Sequence, residues 1–158
     1  MRYSFRCGLG FGITSGVITT LGLLVGLNAG TQSKLAVIGG ILTIAIADTL
    51  SDSLGMHISK EFESRTTAKE NWEATLVTFF SKFLVALSFI IPTIYMDLEK
   101  AIKVGVLWGL FLLCAFSYVI AKDRKANPLY VMGEHVLIAS IVILTVQFVG
   151  SFIRSILI

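Results

Sequence analysis

Long apolar stretches alternate with short polar joints along this chain, and the stretches define five elements. They fall at about 8–28, 35–58, 73–95, 102–121 and 131–157, each close to the ~17–25 residues a helix needs to cross a bilayer. The joints cover residues 29–34, 59–72, 96–100 and 122–130, the last carrying Asn127-Pro128. None is long enough to hold a second folded unit. The pattern therefore predicts one all-α domain over residues 1–158, a polytopic membrane protein with five transmembrane helices. The first stretch follows Arg2 and Arg6 as a secretory leader would, but it has the length of a full span and no small-residue cleavage site, so it counts as a span.

Polar positions inside the apolar stretches come next, because they are costly there. Asp48 and Asp52 lie four residues apart in the second stretch. Intramembrane acids are tolerated where they face a bundle interior or a water-filled route, so they mark an ion or proton path. At helical spacing Asp48, Asp52, Met56, Ser59 and Glu63 form one stripe, while His57 and Glu61 pair on the opposite face. With a rise of ~1.5 Å per residue and a boundary near Ile58, Asp52 lies roughly 9 Å deep and Asp48 roughly 15 Å, close to the midplane. In the third stretch Lys82 reaches a depth between the two, on a stripe with Asn71, Thr75 and Thr78, which makes it a possible ion-pair partner for either acid. A carboxyl left unpaired in hydrocarbon favours its neutral form, as a proton carrier does. Pro92 is expected to kink the third helix.

The first stretch carries Gly12, Ser15, Thr19, Gly22, Gly26 and Gly30 at spacings of three and four. Such small residues let backbones approach closely. That contact lies either inside one chain or across a dimer axis beside a pathway, and the hydroxyls of Ser15 and Thr19 favour the second. Around the joint between the second and third stretches stand Glu61, Glu63, Glu70 and Glu73, with His57 nearby and Glu134-His135 at the start of the fifth stretch. These acids are either a solvated face or a gathering point for a divalent cation, which takes several oxygens and an imidazole.

Composition agrees and narrows the classes. The chain is 55% hydrophobic and only 15% charged, against about 25% charged in soluble domains. Its net charge of +3 bears on orientation. With the N-terminus inside, Arg2, Arg6, Lys60, Arg65, Lys69, Lys122, Arg124 and Lys125 are cytoplasmic, against Lys34, Lys100, Lys103 and Arg154 outside. The positive-inside rule then predicts a cytoplasmic N-terminus and an external C-terminus. No interleaving of aromatic and basic residues points to nucleic acid. Cys7 and Cys114 share no metal or disulfide spacing, and no nucleophile–base pair or HExxH suggests an enzyme.

These residues carry a resemblance. Ser15-Gly16-Val17-Ile18-Thr19-Thr20-Leu21-Gly22-Leu23, the stretch from Ala47 to Glu61, Pro92, Ala121-Lys122, Glu134-His135 and Val149-Gly150 resemble the vacuolar iron transporter family across essentially the whole chain. The resemblance implies a five-helix homodimer that moves ferrous iron or manganese out of the cytosol in exchange for protons, along a path between subunits formed by helices 1 and 2. Ser15 stands where plant-type members carry an aspartate, and the family's large metal-binding insertion between helices 2 and 3 is missing.

The expected function is therefore divalent cation transport in a lipid membrane, with no permanently bound cofactor. Glu61, Glu63, Glu70, Glu73, Glu134, His57 and His135 would gather Fe2+ or Mn2+, and Asp52, Asp48, Met56, Ser15 and Thr19 would line the path. The alternative is a non-transporting assembly or scaffold protein in which Asp48, Asp52 and Lys82 form a buried ion-pair cluster.

Overall fold

The computed structural model describes residues 3–63 and 66–157 of the chain; Arg2 and Arg65, counted above for orientation, lie outside the described residues. Among the described residues six helices follow one another: α1 (Tyr3–Thr31), α2 (Lys34–Glu61), α3 (Ala68–Ser88), α4 (Ile90–Tyr95), α5 (Leu98–Asp123) and α6 (Pro128–Leu157). Helices α3 and α4 together form one span, so among the described residues five segments are long and apolar enough to cross a membrane. This is the architecture of a multi-pass integral membrane protein.

Local chemistry sets the ends, and the helices run past their apolar cores. Gln32 adopts a left-handed conformation (φ 48°) and donates its N–H to the Asn28 carbonyl, closing α1. One residue later Ser33 caps α2 by accepting from Ala36 N–H. Thr67 and Glu70 form a reciprocal capping box at the start of α3; this satisfies two otherwise orphaned donors. Pro128 opens α6, where its missing N–H costs nothing. The joint between α2 and α3 is thus much shorter than the expected one, and Glu70 and Glu73 are helical residues.

The third span breaks at Phe89, whose N–H reaches back to Ala86 instead of continuing the α-helical pattern. Pro92 explains this. It lacks the N–H that would bond the Ser88 carbonyl, and its ring crowds that same carbonyl. Trp108 Nε1–H donates to Ser88 Oγ beside the break (2.9 Å), and Lys34 Nζ donates to the Ile94 and Met96 carbonyls (2.9 Å each).

Helix α1 is the hub, packing against α2, α3, α5 and α6. Two glycine rows allow this. A methyl group added at Gly8 would stand 2.5 Å from the Ala74 carbonyl oxygen, and one at Gly12 would stand 2.8 Å from that of Thr78, so the N-terminal half of α1 lies directly on α3. Along the C-terminal half, Gly22 and Gly26 face Val142 and Val146, and Gly30 faces Gly150 of α6. The Gly22, Gly26 and Gly30 row is therefore filled within the chain. This corrects the expectation of a dimer axis on that face: a small-residue row specifies close approach and leaves open which helix approaches. Val17, Leu21, Leu24, Val37, Ile41, Phe89 and Leu113 close the interior.

Candidate functional site

Because α1 lies so close on α3, the stem of Lys82 can run beneath Gly16, where an added methyl would stand 3.2 Å from Lys82 Cγ. Lys82 belongs to the buried stripe of α3 with Asn71, Ala74, Thr75, Thr78 and Ala86. Its ammonium ends among three side chains from two other helices, and it is 1% exposed.

Helix α2 supplies the acids. It buries Val37, Ile41, Ala45, Thr49 and Ser53, every fourth residue, against the bundle. Asp48 and Asp52 precede Thr49 and Ser53 by one residue, so they sit at the edge of that seam. Their side chains are 32% and 23% exposed. Lys82 Nζ bonds Asp52 Oδ2 directly and stands 2.5 Å from Asp48 Oδ2. The Asp48 contact is off the hydrogen-bonding direction, so Asp48 Oδ2 is held by charge alone. Ser15 completes the cluster: its hydroxyl donates to Asp52 Oδ2 (2.6 Å) and accepts from Lys82 Nζ (3.1 Å). Two carboxyl groups thus share one ammonium, which can balance the charge of only one of them.

The Asp–Lys pairing expected for at least one aspartate is present, and the lysine engages both. The reason is geometric. Side chains four apart on a helix lie about 5–6 Å apart at Cβ, and an ammonium entering from the side reaches both. Thr19 does not join the cluster; its hydroxyl donates to the Ser15 carbonyl (2.9 Å). Met56 lies half-buried one turn beyond Asp52.

The acids and histidines near the α2–α3 joint and the start of α6 behave differently. Among the described residues no group of three or more His, Cys, Asp or Glu side chains comes together as a metal ion would require. Glu63 pairs with Lys60 (2.7 Å), Glu70 serves in the capping box, and Glu73 accepts from Ser4 Oγ (2.5 Å). His57 packs on Trp72, places Nε2 3.5 Å from Glu61, and meets Thr75 Oγ1 through Nδ1 (2.9 Å). The Thr75 hydroxyl already donates to the Asn71 carbonyl (2.7 Å), so His57 Nδ1 is the donor in that bond. His135 Nδ1 similarly meets Ser117 Oγ (2.6 Å), whose proton goes to the Leu113 carbonyl. Glu134 is exposed. The expected gathering of Glu61, Glu63, Glu70, Glu73, Glu134, His57 and His135 is therefore not formed within one chain, because each engaged group has taken a local partner.

Several contacts carry no signal at the level of residue spacing. Lys60 is buried with its ammonium 4.6 Å from the Tyr3 ring, and Arg6 pairs with Asp123 across the α1–α5 cleft. The Gly8, Gly12 and Gly16 row is the exception, since its four-residue period is legible in the sequence and it is what delivers Lys82 to the acids. Compared with known proteins, the chain matches no family model and no curated sequence.

Proposed function

We propose that this chain is a divalent metal cation transporter, carrying ferrous iron or manganese out of the cytosol in exchange for protons, and that it works as a homodimer. One observation carries the reading: at mid-span, two carboxyl groups share a single buried ammonium, so that ionising both leaves one negative charge uncompensated. Such a charge is expensive in a bilayer unless a mobile cation or proton visits it. The acids are also partly open on the lateral face of α2, at 32% and 23% exposed. The resemblance of the Ser15 to Leu23 stretch and of the Ala47 to Glu61 stretch to the vacuolar iron transporter family supports the same reading. So does the five-span order, with the N-terminus cytoplasmic and the C-terminus outside by the charge count.

In this mechanism Asp52 and Asp48 hold the ion in turn, assisted by Ser15, with metal and protons competing for the same carboxylates. No covalent chemistry is involved, and the protein is not an enzyme. The helix-end residues His57, Glu61, Glu63, Glu70, Glu73, Glu134 and His135 serve at most as an electrostatic lure on the cytoplasmic side. The test is Mn2+ flux in proteoliposomes with an imposed pH gradient. Flux should follow the gradient and vanish in the Asp48→Ala, Asp52→Ala double variant; flux that ignores the gradient or survives that variant refutes the mechanism.

A second reading is favoured by the depth of Lys82. Its contacts to both acids suit a buried ion-pair cluster in a membrane assembly or scaffold protein. Removing one member of such a pair leaves the other uncompensated. On that reading Asp52→Asn is rescued by Lys82→Met in unfolding assays, and no flux is found.

A further inference from the structure

The Lys82 ammonium stands in the position that a cation held between Asp48 and Asp52 must take. Both acids turn Oδ2 toward it, and Ser15 Oγ touches it from α1. Two oxygen donors and a hydroxyl converging on one point make an incomplete cage for a hard divalent cation, which seeks several oxygens at about 2.0–2.6 Å. A second cation cannot enter that point while the ammonium is there, since like charges at such a separation repel strongly where water is scarce. The acids are approachable from the side, at 32% and 23% exposed, whereas the ammonium is sealed at 1%. Its stem is four methylenes running beneath Gly16, where an added methyl would stand 3.2 Å from Lys82 Cγ.

We propose that Lys82 is a tethered competitor for the transported cation: the ion binds Asp48, Asp52 and Ser15 only when the ammonium swings out, and the returning ammonium expels it. This rests on the transporter reading given above. The resident cation compensates one of the two carboxylates while the site is empty, so the empty carrier avoids holding two bare charges in the bilayer. It also lowers apparent affinity by the fraction of time the site stands open, and this speeds release.

The test is Mn2+ binding to the purified full-length chain, followed by the paramagnetic resonance signal of free Mn2+. Lys82→Met removes the competitor and should tighten Mn2+ binding at least tenfold. Lys82→Arg keeps the charge in a planar fork that grips two carboxylates and should weaken binding at least tenfold. A purely structural lysine gives the opposite order, with binding lost in Lys82→Met and retained in Lys82→Arg; that result overturns the proposal. If Lys82→Met does not fold, Lys82→Arg decides alone, and wild-type affinity in that variant overturns it. The Asp48→Asn, Asp52→Asn double variant separates the two layers. Mn2+ binding indifferent to that variant refutes the transport site and this proposal together, whereas Asp-dependent binding indifferent to residue 82 refutes only the competitor.

Discussion

Asp48 and Asp52 look equivalent by spacing, but they are held in different ways. Asp52 accepts hydrogen bonds from Ser15 and Lys82, while Asp48 has only the charge of the same ammonium. Hydrogen bonds to charged groups contribute about 1.5–3 kcal/mol each, with smaller values usual between membrane helices. Asp52→Asn should therefore destabilise the fold by about 1–3 kcal/mol more than Asp48→Asn, measured by unfolding in mixed micelles. Ser15→Ala should cost about 0.5–2 kcal/mol by losing one of those bonds. Equal costs for the two aspartates would refute the asymmetry. At this scale the sequence showed the depth of the three charges, because rise per residue is fixed. It could not show that the acids around the α2–α3 joint would disperse. Glu63 lies three residues from Lys60 and Glu70 three from Thr67, and at helix ends such short-range partners win over a shared site.

The helices themselves were legible from their apolar length, and their ends were less so, because Ser33, Thr67 and Pro128 act through capping rather than hydrophobicity. The glycine rows show both sides of this. Their four-residue period announces close packing, yet only the three-dimensional arrangement assigns Gly8 and Gly12 to α3 and Gly26 and Gly30 to α6. A methyl at Gly150 would stand 2.5 Å from the Gly26 carbonyl oxygen and 3.1 Å from Gly30 N, both backbone atoms that cannot step aside. Gly150→Ala should accordingly push α6 off α1 and destabilise the protein by about 1–3 kcal/mol, read as an earlier unfolding midpoint. Lys34 offers a second test of element ends. Its ammonium binds the carbonyls of Ile94 and Met96 at the end of α4, so Lys34→Met should speed amide exchange over residues 93–97 while leaving α5 unchanged.

At the scale of the whole molecule, the homodimer proposed above needs a face on which a second copy can sit. With the Gly22, Gly26 and Gly30 row occupied by α6, the remaining small-residue row is on the outer face of α2. Gly39, Thr43, Ala47, Ser51, Gly55 and Ser59 recur every fourth residue, and all are exposed in the single chain. A side chain added at Gly39 or Gly55 would meet nothing within 4 Å. Lipid tails are as apolar as leucine, so association in a bilayer depends on such close backbone approach more than on burying apolar surface. This row runs beside Asp48 and Asp52, so a partner seated on it would close the lateral opening of the acids and turn two half-exposed sites into one enclosed path. Gly55→Leu tests this without disturbing the monomer, because the space around Gly55 is empty. It should yield a folded monomer by light scattering, with an unfolding midpoint near that of the wild type and with Mn2+ flux abolished. A dimer that persists in this variant would place the interface elsewhere. A monomeric variant that still transports would show that a single chain encloses the path by itself.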